Sequence, residues 1–333
     1  MTDQLTELAK TPSPPSPAHH GETTFAVRLR AIVWEAPGVV SLQLTAPDGS
    51  ALPPFEPGAH IDLKLPDGTM RQYSLSGDPA DTSHYRVGIR AVAGGLSSSF
   101  IHSKLRPGEL LTVSAPRNNF PLVDEKHYVF VAGGIGVTPL IPMMRQASAK
   151  GRPWTLLYCN RRNEDAPFLA EIKALGGEVS MHSSEAGTRL DVAQRLATVQ
   201  TDTAVYCCGP ESLMTAVESA TTAWPADSIH FEWFTPRSRP ADETSGSFEV
   251  VCQRSGLTLT VPPDKSILDA LNDAGIDVPC SCTQGICGTC EVGVLSGEVD
   301  HRDSILSSSE RAANTTMMTC VSRAKSARLV LDI

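Results

Sequence analysis

The first third of the chain is built from short runs in which apolar and polar side chains alternate. From Phe25 to about Leu122 these runs include FAVRLRAIVW, VVSLQL, HIDLKL and YRVGIRAV, and turn residues such as Pro47-Asp48-Gly49 separate them. An apolar residue at every second position buries one face of a strand. Several short strands at this spacing predict an all-β barrel or sandwich.

From about residue 126 the apolar runs become continuous and alternate with amphipathic stretches. The strand-like runs are HYVFVAGG, WTLLYCN, EVSMH and AVYCCGP, and the helix-like runs are TPLIPMMRQAS, FLAEIKAL, LDVAQRLA and ESLMTAV. Strands that are apolar throughout are buried on both faces, as in a parallel sheet covered by helices. The middle third is therefore predicted to be a parallel α/β domain that ends near SIHFEWF.

Two segments lack the pattern of a folded core. Residues 1–22 contain TPSPPSP and few apolar side chains, which predicts a disordered tail. Residues 235–246, TPRSRPADETSG, are rich in proline and charge, which predicts a linker. After it, a hairpin turning at Ser255-Gly256 and a helix ending at Gly275 are expected. The predicted divisions are a tail (1–22), a β-barrel (23–122), an α/β domain (123–234), a linker (235–246) and a C-terminal domain (247–333).

Length and charge narrow the function classes. A chain of 333 residues is too long for one core and predicts two or three domains. Its net charge of −9 argues against nucleic-acid binding, and no apolar run reaches the length of a membrane span. The N-terminus has no secretory signal pattern, so a cytoplasmic location is expected. In that compartment the nine cysteines indicate metal or redox chemistry and not disulfides.

Five of the cysteines lie near the C-terminus. Cys282, Cys287 and Cys290 form C-x4-C-x2-C, and Cys320 follows far downstream. Three clustered thiolates and one distant one are the plant-type spacing of a [2Fe–2S] cluster. A four-cysteine zinc site usually has two C-x2-C knuckles, and only one is present. Cys280 is then not a ligand. The other four cysteines lie in or beside apolar runs and are predicted to be buried: Cys159, Cys207, Cys208 and Cys252.

Two glycine turns follow apolar strands in the α/β segment. AGGIGVTPL contains Gly134 and Gly136, and Cys208-Gly209-Pro210 follows a later strand. Helix N-termini after such turns bind phosphates, and the carboxyl ends of parallel strands form the crevice where nucleotides bind. Close packing alone also explains a single glycine turn.

The barrel segment contains two further stretches of interest. RQYSLSG offers a cation, an aromatic ring and hydroxyls close together, which would suit a phosphate and a flat ring, or an ordinary surface strand. AGGLSSSF is a small-residue turn that would suit a phosphate, or an ordinary flexible loop.

The order of these motifs resembles one family. RxYS, GGxSxxF, GGIGxTP, CGP and the C-terminal cysteine pattern resemble the phthalate dioxygenase reductase family, the reductase components of two-component Rieske oxygenases. The resemblance covers about residues 25–333. It implies a Greek-key β-barrel flavin domain, a parallel α/β nucleotide-binding domain and a C-terminal β-grasp plant-type ferredoxin domain.

The resemblance also implies roles for single residues. FMN contacts are expected at Arg71, Tyr73 and Ser74, with its phosphate at Gly95, Ser97 and Ser98. The nicotinamide crevice is expected to contain Gly134, Gly136, Thr138, Cys208 and Gly209. The aromatic ring expected to pack against the flavin is that of Phe234. The expected cluster ligands are Cys282, Cys287, Cys290 and Cys320.

The implied activity is electron transfer in a fixed order. A hydride from NADH would reduce FMN, and single electrons would then pass through the [2Fe–2S] cluster to a terminal Rieske oxygenase that acts on an aromatic acid. No protein acid or base is assigned to the hydride step. Arg162 stands where NADH-preferring members often have an acid, so NADPH stays open. The reductase is expected to be a monomer.

Three alternatives stay open at this point. The same electron chain could serve a haem or a diiron monooxygenase, or the chain could be a zinc-knuckle binding protein without redox activity. FAD could replace FMN. The C-terminal stretch 247–333 has a net charge of −4, which would suit a basic docking patch or a merely soluble surface.

Overall fold

The computed structural model describes residues 23–65, 68–238 and 246–333. The predicted tail and residues 239–245 of the predicted linker lie outside these ranges. Within them the strands form a six-stranded sheet, two five-stranded sheets and one two-stranded pair. The divisions between domains stay predictions.

The six-stranded sheet is antiparallel and closes on itself. Its strands are β1 (Thr24–Ala36), β2 (Val39–Thr45), β3 (His60–Lys64), β4 (Met70–Ser74), β5 (Tyr85–Arg90) and β6 (Leu110–Ser114), in the order β4-β3-β6-β1-β2-β5. A bridge between Leu75 and Val87 joins the two edge strands. The predicted β-barrel is confirmed, and its core contains the fully buried Leu42 and Ile61. One helix, α1 (Leu96–Ser103), connects β5 to β6.

The second sheet is parallel throughout. Its elements are β7 (His127–Gly133), α2 (Leu140–Ala149), β8 (Trp154–Asn160), α3 (Leu169–Ala174), β9 (Glu178–Ser183), α4 (Val192–Arg195), β10 (Thr203–Cys208), α5 (Glu211–Ala220) and β11 (Ile229–Glu232). The strand order is β11-β10-β7-β8-β9. Neighbouring residues on β7, Phe130 and Val131, belong to two different buried clusters. The sheet is therefore covered on both faces, which is why its strands are apolar throughout.

The third sheet is mixed and follows the linker. Its unit contains β12 (Phe248–Cys252), β13 (Leu257–Val261), α6 (Ile267–Asp273), β14 (Glu291–Ser296), β15 (Val299–Asp300), α7 (Ser308–Ala313), β16 (Thr316–Met318), β17 (Arg323–Ala324) and β18 (Arg328–Leu331). The strand order is β13-β12-β18-β14-β16, and β15 pairs with β17. The predicted hairpin turns at Gly256, where φ is +70°. Helix α6 begins with a capping box between Ser266 and Asp269 and ends just before Gly275, as predicted.

Candidate flavin, nucleotide and iron–sulfur sites

Two strand ends form the floor of a crevice in the α/β unit. β7 ends at Gly133 and β10 ends at Cys208, and these strands are parallel neighbours. A Cβ atom on Gly136 would lie 2.3 Å from the Cys208 carbonyl oxygen, and one on Gly133 would lie 2.3 Å from Cδ of Pro210. Glycine at these two positions lets the two turns touch, so close packing accounts for Gly136. Gly134 differs, since φ is +54° and no heavy atom lies within 4 Å of its would-be Cβ.

A cavity of about 840 Å³ opens above this floor. Its size is in the range of ligand-binding clefts. Gly133, Gly134 and Pro210 line one side, and Asn160, at the end of β8, lines another. The buried amide atoms of Asn160 have no hydrogen-bond partner among the described residues, so they are available to a ligand. The arginines that line the cavity are Arg90, Arg161, Arg162 and Arg189.

The two arginines that follow β8 are not equally available to an anion. Arg162 donates to both oxygens of Asp165, over 3.1 Å from Nε and 2.7 Å from Nη2. This bond lowers the pKa of the Asp165 carboxyl. Arg161 is 82% exposed, and its Nε lies 3.5 Å from Glu185. Much of the charge of Arg162 is therefore already compensated at the cavity rim.

Strand β4 carries the predicted FMN contacts of the barrel. Arg71 and Tyr73 lie on the same face of the strand by alternation. The Arg71 guanidinium is exposed and donates to the carbonyl of Met70 over 2.8 Å. Tyr73 packs at the edge of the barrel core, and burial raises its pKa to about 12. Tyr73 is therefore a neutral ring with one apolar side, which is compatible with stacking on a flat ligand.

The predicted phosphate loop is a turn that continues directly into α1. Gly95 is the N-cap residue of this helix, so AGGLSSSF is half helical where the sequence predicted only a turn. Ser98 accepts a bond from Val92 N over 3.1 Å and donates to the Gly95 carbonyl over 3.2 Å. The buried hydroxyl of Ser97 has no hydrogen-bond partner among the described residues. An unpaired hydroxyl in the first turn of a helix fits a phosphate group.

Glu232 is a candidate functional residue that the sequence analysis missed. It ends β11 and lies beside Cys208 in the register of the parallel sheet. Its Oε2 accepts a hydrogen bond from Ser74 Oγ over 3.0 Å, which links the α/β unit to the barrel. Burial raises the pKa of Glu232 to about 8, and burial also raises the pKa of the Cys208 thiol. The sequence did contain a signal for Glu232, which is an acidic residue at the carboxyl end of an apolar strand, within HFEWF.

The two aromatic residues after β11 face different surroundings. Trp233 is buried against the α/β core, and the Arg237 guanidinium lies 4.4 Å from its ring centroid. Phe234 is 38% exposed. Phe234 is thus available for the ring packing predicted for it.

The cysteine loop is shaped by glycines with positive φ. Gly285 has φ +69°, and a Cβ there would lie 2.6 Å from Val321, next to the predicted ligand Cys320. Gly288 has φ +77°. Such angles strain other residues, so glycine lets the loop bend toward the Cys320 segment.

The structure brings the four predicted cluster ligands together as two pairs. Cys282 hydrogen-bonds with Cys287, and this bond, with backbone N–H donors, lowers the pKa of Cys282 to about 6. Cys290 hydrogen-bonds with Cys320, which lowers the pKa of Cys290, whereas that bond and burial raise the pKa of Cys320. Two thiolates per iron is the requirement of a [2Fe–2S] cluster.

The remaining cysteines are placed largely as predicted. Cys280 is exposed, and its place outside the ligand set stays a prediction. Cys207, Cys208 and Cys252 are buried. Cys159 differs, because it is only half-buried and lines the cavity beside Gly134.

The cysteine loop also contacts the other two units. Ser281 Oγ donates to Oδ2 of Asp62 on β3 over 2.7 Å. Asn119 Nδ2, just after the barrel, donates to the carbonyl of Cys287 over 2.9 Å. Ile286 packs against the α/β core cluster that contains Trp233. The cluster-binding loop therefore lies at the junction of all three units.

Comparison with protein families gives three successive matches. Residues 34–121 match the oxidoreductase FAD-binding domain family. Residues 114–229 match the N-terminal domain of dimethylamine monooxygenase subunit DmmA-like proteins. Residues 250–325 match the 2Fe-2S iron-sulfur cluster binding domain family.

The solved structure of a reductase matches this chain across all three units. Phthalate dioxygenase reductase, described as a modular structure for electron transfer from pyridine nucleotides to [2Fe–2S], is 37% identical, with a TM-score of 0.67. The match covers 93% of this chain and 98% of that one. This chain belongs to the phthalate dioxygenase reductase family. The predicted fold class, the flavin and [2Fe–2S] domains and the oxidoreductase class are confirmed.

Two other proteins are similar to the reductase over most of its length. Phenoxybenzoate dioxygenase subunit beta of Ectopseudomonas oleovorans is 42% identical over 313 residues, 92% of this chain and 97% of the relative. An intact type IV self-sufficient cytochrome P450 monooxygenase is 38% identical with a TM-score of 0.87 over 96% of this chain. The reductase spans only 43% of that P450 protein. None of the helices in the described ranges combines the length and apolarity that a bilayer crossing requires.

Proposed function

We propose that the reductase takes a hydride from NADH onto FMN and passes single electrons through its [2Fe–2S] cluster to a terminal Rieske oxygenase. The observation that carries the proposal is the junction at the cysteine loop. Asn119 and Asp62 of the barrel side hydrogen-bond to the loop that contains three of the four cluster ligands. A bound flavin accepts two electrons as hydride and releases them singly, and a [2Fe–2S] cluster carries one at a time.

The chain's own residues bind and orient these groups. The cavity beside Gly134 would hold the nucleotide, with Asn160 as an unpaired donor and acceptor and the rim arginines near its phosphates. Tyr73 and Phe234 offer aromatic faces for the flavin ring. Ser97 offers a hydroxyl for its phosphate. Glu232, held by Ser74 and mostly protonated at neutral pH, would add little negative charge beside the nicotinamide.

FMN is proposed rather than FAD. Support comes from the family resemblance, and the unpaired Ser97 hydroxyl at the N-terminus of α1 fits the phosphate that either flavin carries. Heat release of the flavin followed by chromatography against FMN and FAD standards tests this directly. Recovery of FAD in stoichiometric amount would refute the FMN assignment and leave the electron order intact.

NADH is proposed as the preferred donor. Arg162, the cation best placed to meet a 2′-phosphate, is bound by both oxygens of Asp165. A compensated cation gains less from an added phosphate. Comparing the rates of flavin bleaching by NADH and NADPH tests the preference, and a faster reaction with NADPH would reverse it.

The acceptor is proposed to be a Rieske oxygenase that acts on an aromatic acid. Support comes from the relative named for phenoxybenzoate. A haem acceptor is the second candidate, because the TM-score to the self-sufficient P450 protein, 0.87, exceeds that to phthalate dioxygenase reductase, 0.67.

The deciding experiment is reconstitution. The purified reductase is mixed with NADH and with either the oxygenase encoded beside it or a P450 haem domain. Sedimentation of the same sample tests the proposed monomeric state. Oxygenase turnover on a panel of aromatic acids, with no haem reduction, is expected. Haem reduction with no oxygenase turnover would favour the second candidate. A protein with neither flavin nor [2Fe–2S] absorption would refute both.

A further inference from the structure

Two barrel-side residues reach across to the cysteine loop at either end of its first ligand pair. Asp62 accepts from Ser281, which immediately precedes the ligand Cys282. Asn119 donates to the main-chain carbonyl of the ligand Cys287. Both bonds are within normal hydrogen-bond distance, at 2.7 and 2.9 Å. The segment between the two anchor points is the part of the loop that turns through Gly285.

Asp62 is held in place by the barrel itself. Its side chain is fully buried, and its Oδ2 lies 2.7 Å from Nη2 of Arg117. Its backbone N–H donates to Ser114 Oγ over 2.9 Å. A buried carboxylate requires such partners, and residues of the barrel side supply two of them. Ser281 therefore binds a charged acceptor that the barrel side also holds.

Asn119 is fixed in a similar way. The preceding residue, Asn118, donates to the Pro57 carbonyl over 3.0 Å and accepts from Phe120 N over 3.0 Å. A Cβ on Gly288 would lie 2.9 Å from Asn119 Nδ2. Glycine at 288 thus lets the Asn119 amide reach the Cys287 carbonyl.

The contacts are concentrated on one face of the ferredoxin unit. Ile286, between the two anchors, packs against the α/β core cluster. The loop is therefore held in one position by two hydrogen bonds, one apolar contact and close packing.

We propose that Asp62 and Asn119 are positioning residues that form a two-point latch, which holds the cluster loop in the position where it accepts electrons from the flavin. The inference rests on the proposed function, in which one electron leaves the reduced flavin and one enters the cluster, without any bond being formed or broken. The latch acts through Ser281 and the Cys287 carbonyl, and neither anchor touches the nucleotide cavity.

The first test measures docking without measuring activity. In the purified holoprotein, hydrogen–deuterium exchange is followed for peptides covering residues 280–290. Ser281→Ala removes one anchor and leaves Asp62 paired with Arg117, and Asn119→Asp replaces the other donor without changing its size. Protection is expected to fall about tenfold in Ser281→Ala, whose acceptor is charged, and about fivefold in Asn119→Asp. Peptides covering β12 should not change.

The second test measures electron transfer inside the protein by stopped flow. Flavin reduction by NADH should keep its rate in both variants, because the anchors do not line the nucleotide cavity. The following step, bleaching of the cluster, should slow in the same rank order as the loss of protection, with the double variant slowest. Ser281→Thr keeps the hydroxyl and should restore both readouts.

A control and two contrary outcomes complete the design. Thr283→Ala removes a hydroxyl of the same loop that donates to the neighbouring Cys282 carbonyl and, among the described residues, to no atom of the barrel, so it should match the unaltered protein. If the double variant keeps full protection and full cluster bleaching, the latch is refuted while the proposed electron order stands. If the unaltered protein reduces its flavin but never its cluster, the proposed function fails, and with it the role of the latch in electron transfer. Hydrogen–deuterium exchange of residues 280–290 then still tests whether the two anchors hold the loop.

Discussion

Ser74 Oγ donates a hydrogen bond to Oε2 of Glu232 over 3.0 Å, and this bond joins the end of β4 in the barrel to the end of β11 in the α/β unit. Cys208 lies beside Glu232 in the same sheet. Because burial raises the pKa of Glu232 to about 8, its carboxyl is mostly protonated at neutral pH. A neutral acid therefore faces the junction between the flavin and nucleotide sites.

The first prediction concerns the pH dependence of stability. Folding raises the pKa of the Glu232 carboxyl from 4.5 to about 8, so its contribution to the free energy of unfolding is fully present below about pH 4.5. This contribution is lost as the pH rises through the folded-state pKa of about 8. Glu232→Gln removes the titration. The free energy of unfolding in urea should therefore fall less between pH 5 and 8 in this variant, by on the order of 2 kcal/mol, allowing for partial exposure of the residue. Glu56→Gln, at an exposed site, should behave like the unaltered protein, and equal pH slopes in all three would contradict the assignment.

The second prediction separates cluster ligands from bystanders. Cys320→Ser should lose or strongly destabilise the [2Fe–2S] absorption, because it leaves Cys290 without its pairing thiol. Cys280→Ser should keep the spectrum, since the plant-type spacing assigns the four ligand positions to Cys282, Cys287, Cys290 and Cys320. Iron content per flavin measures the outcome, and a reversed result would show that the ligand set is wrong.

The third prediction compares two glycines of one turn. Gly136→Ala places a Cβ 2.3 Å from the Cys208 carbonyl and should destabilise the protein by about 3 kcal/mol. Gly134→Ala meets no atom within 4 Å, so only its positive φ should matter, at about 1 kcal/mol. Urea unfolding measures both. NADH binding should weaken more in Gly134→Ala than its small stability loss explains, if the nucleotide approaches at that residue.

The fourth prediction concerns the choice of pyridine nucleotide. Asp165→Asn releases the Arg162 guanidinium and should raise the ratio of kcat/KM for NADPH over NADH about fivefold. Glu164→Gln is a matched control, because its carboxylate lies 3.8 Å from Arg162. Steady-state flavin reduction with each nucleotide measures the ratio, and an unchanged ratio in Asp165→Asn would mean that Arg162 does not meet the 2′-phosphate.

The fifth prediction concerns docking to the acceptor. The ferredoxin stretch 247–333 has a net charge of −4, so electron transfer to the oxygenase should slow as ionic strength rises. Transfer from flavin to cluster within the reductase should not change with salt. A rate to the oxygenase that is independent of salt would show that charge does not steer this encounter.

Much of the architecture was readable from local pattern. Alternation predicted the barrel, continuous apolar runs predicted the parallel sheet, and cysteine spacing predicted two-iron chemistry, because each depends on residues close together in the chain. AGGLSSSF was predicted as a turn alone, since small residues occur in turns and also at helix starts. Gly136 was ambiguous for a similar reason, because its close neighbour, the Cys208 carbonyl, is far away in sequence.

The sequence by itself determined which residues could carry the chemistry: Cys282, Cys287, Cys290 and Cys320, and a crevice between two glycine turns. Only the tertiary structure placed Glu232 against Ser74 and seated the cysteine loop on Asp62 and Asn119. These contacts join residues of different units. They depend on how three independently patterned units pack, and no periodicity within one unit encodes that packing.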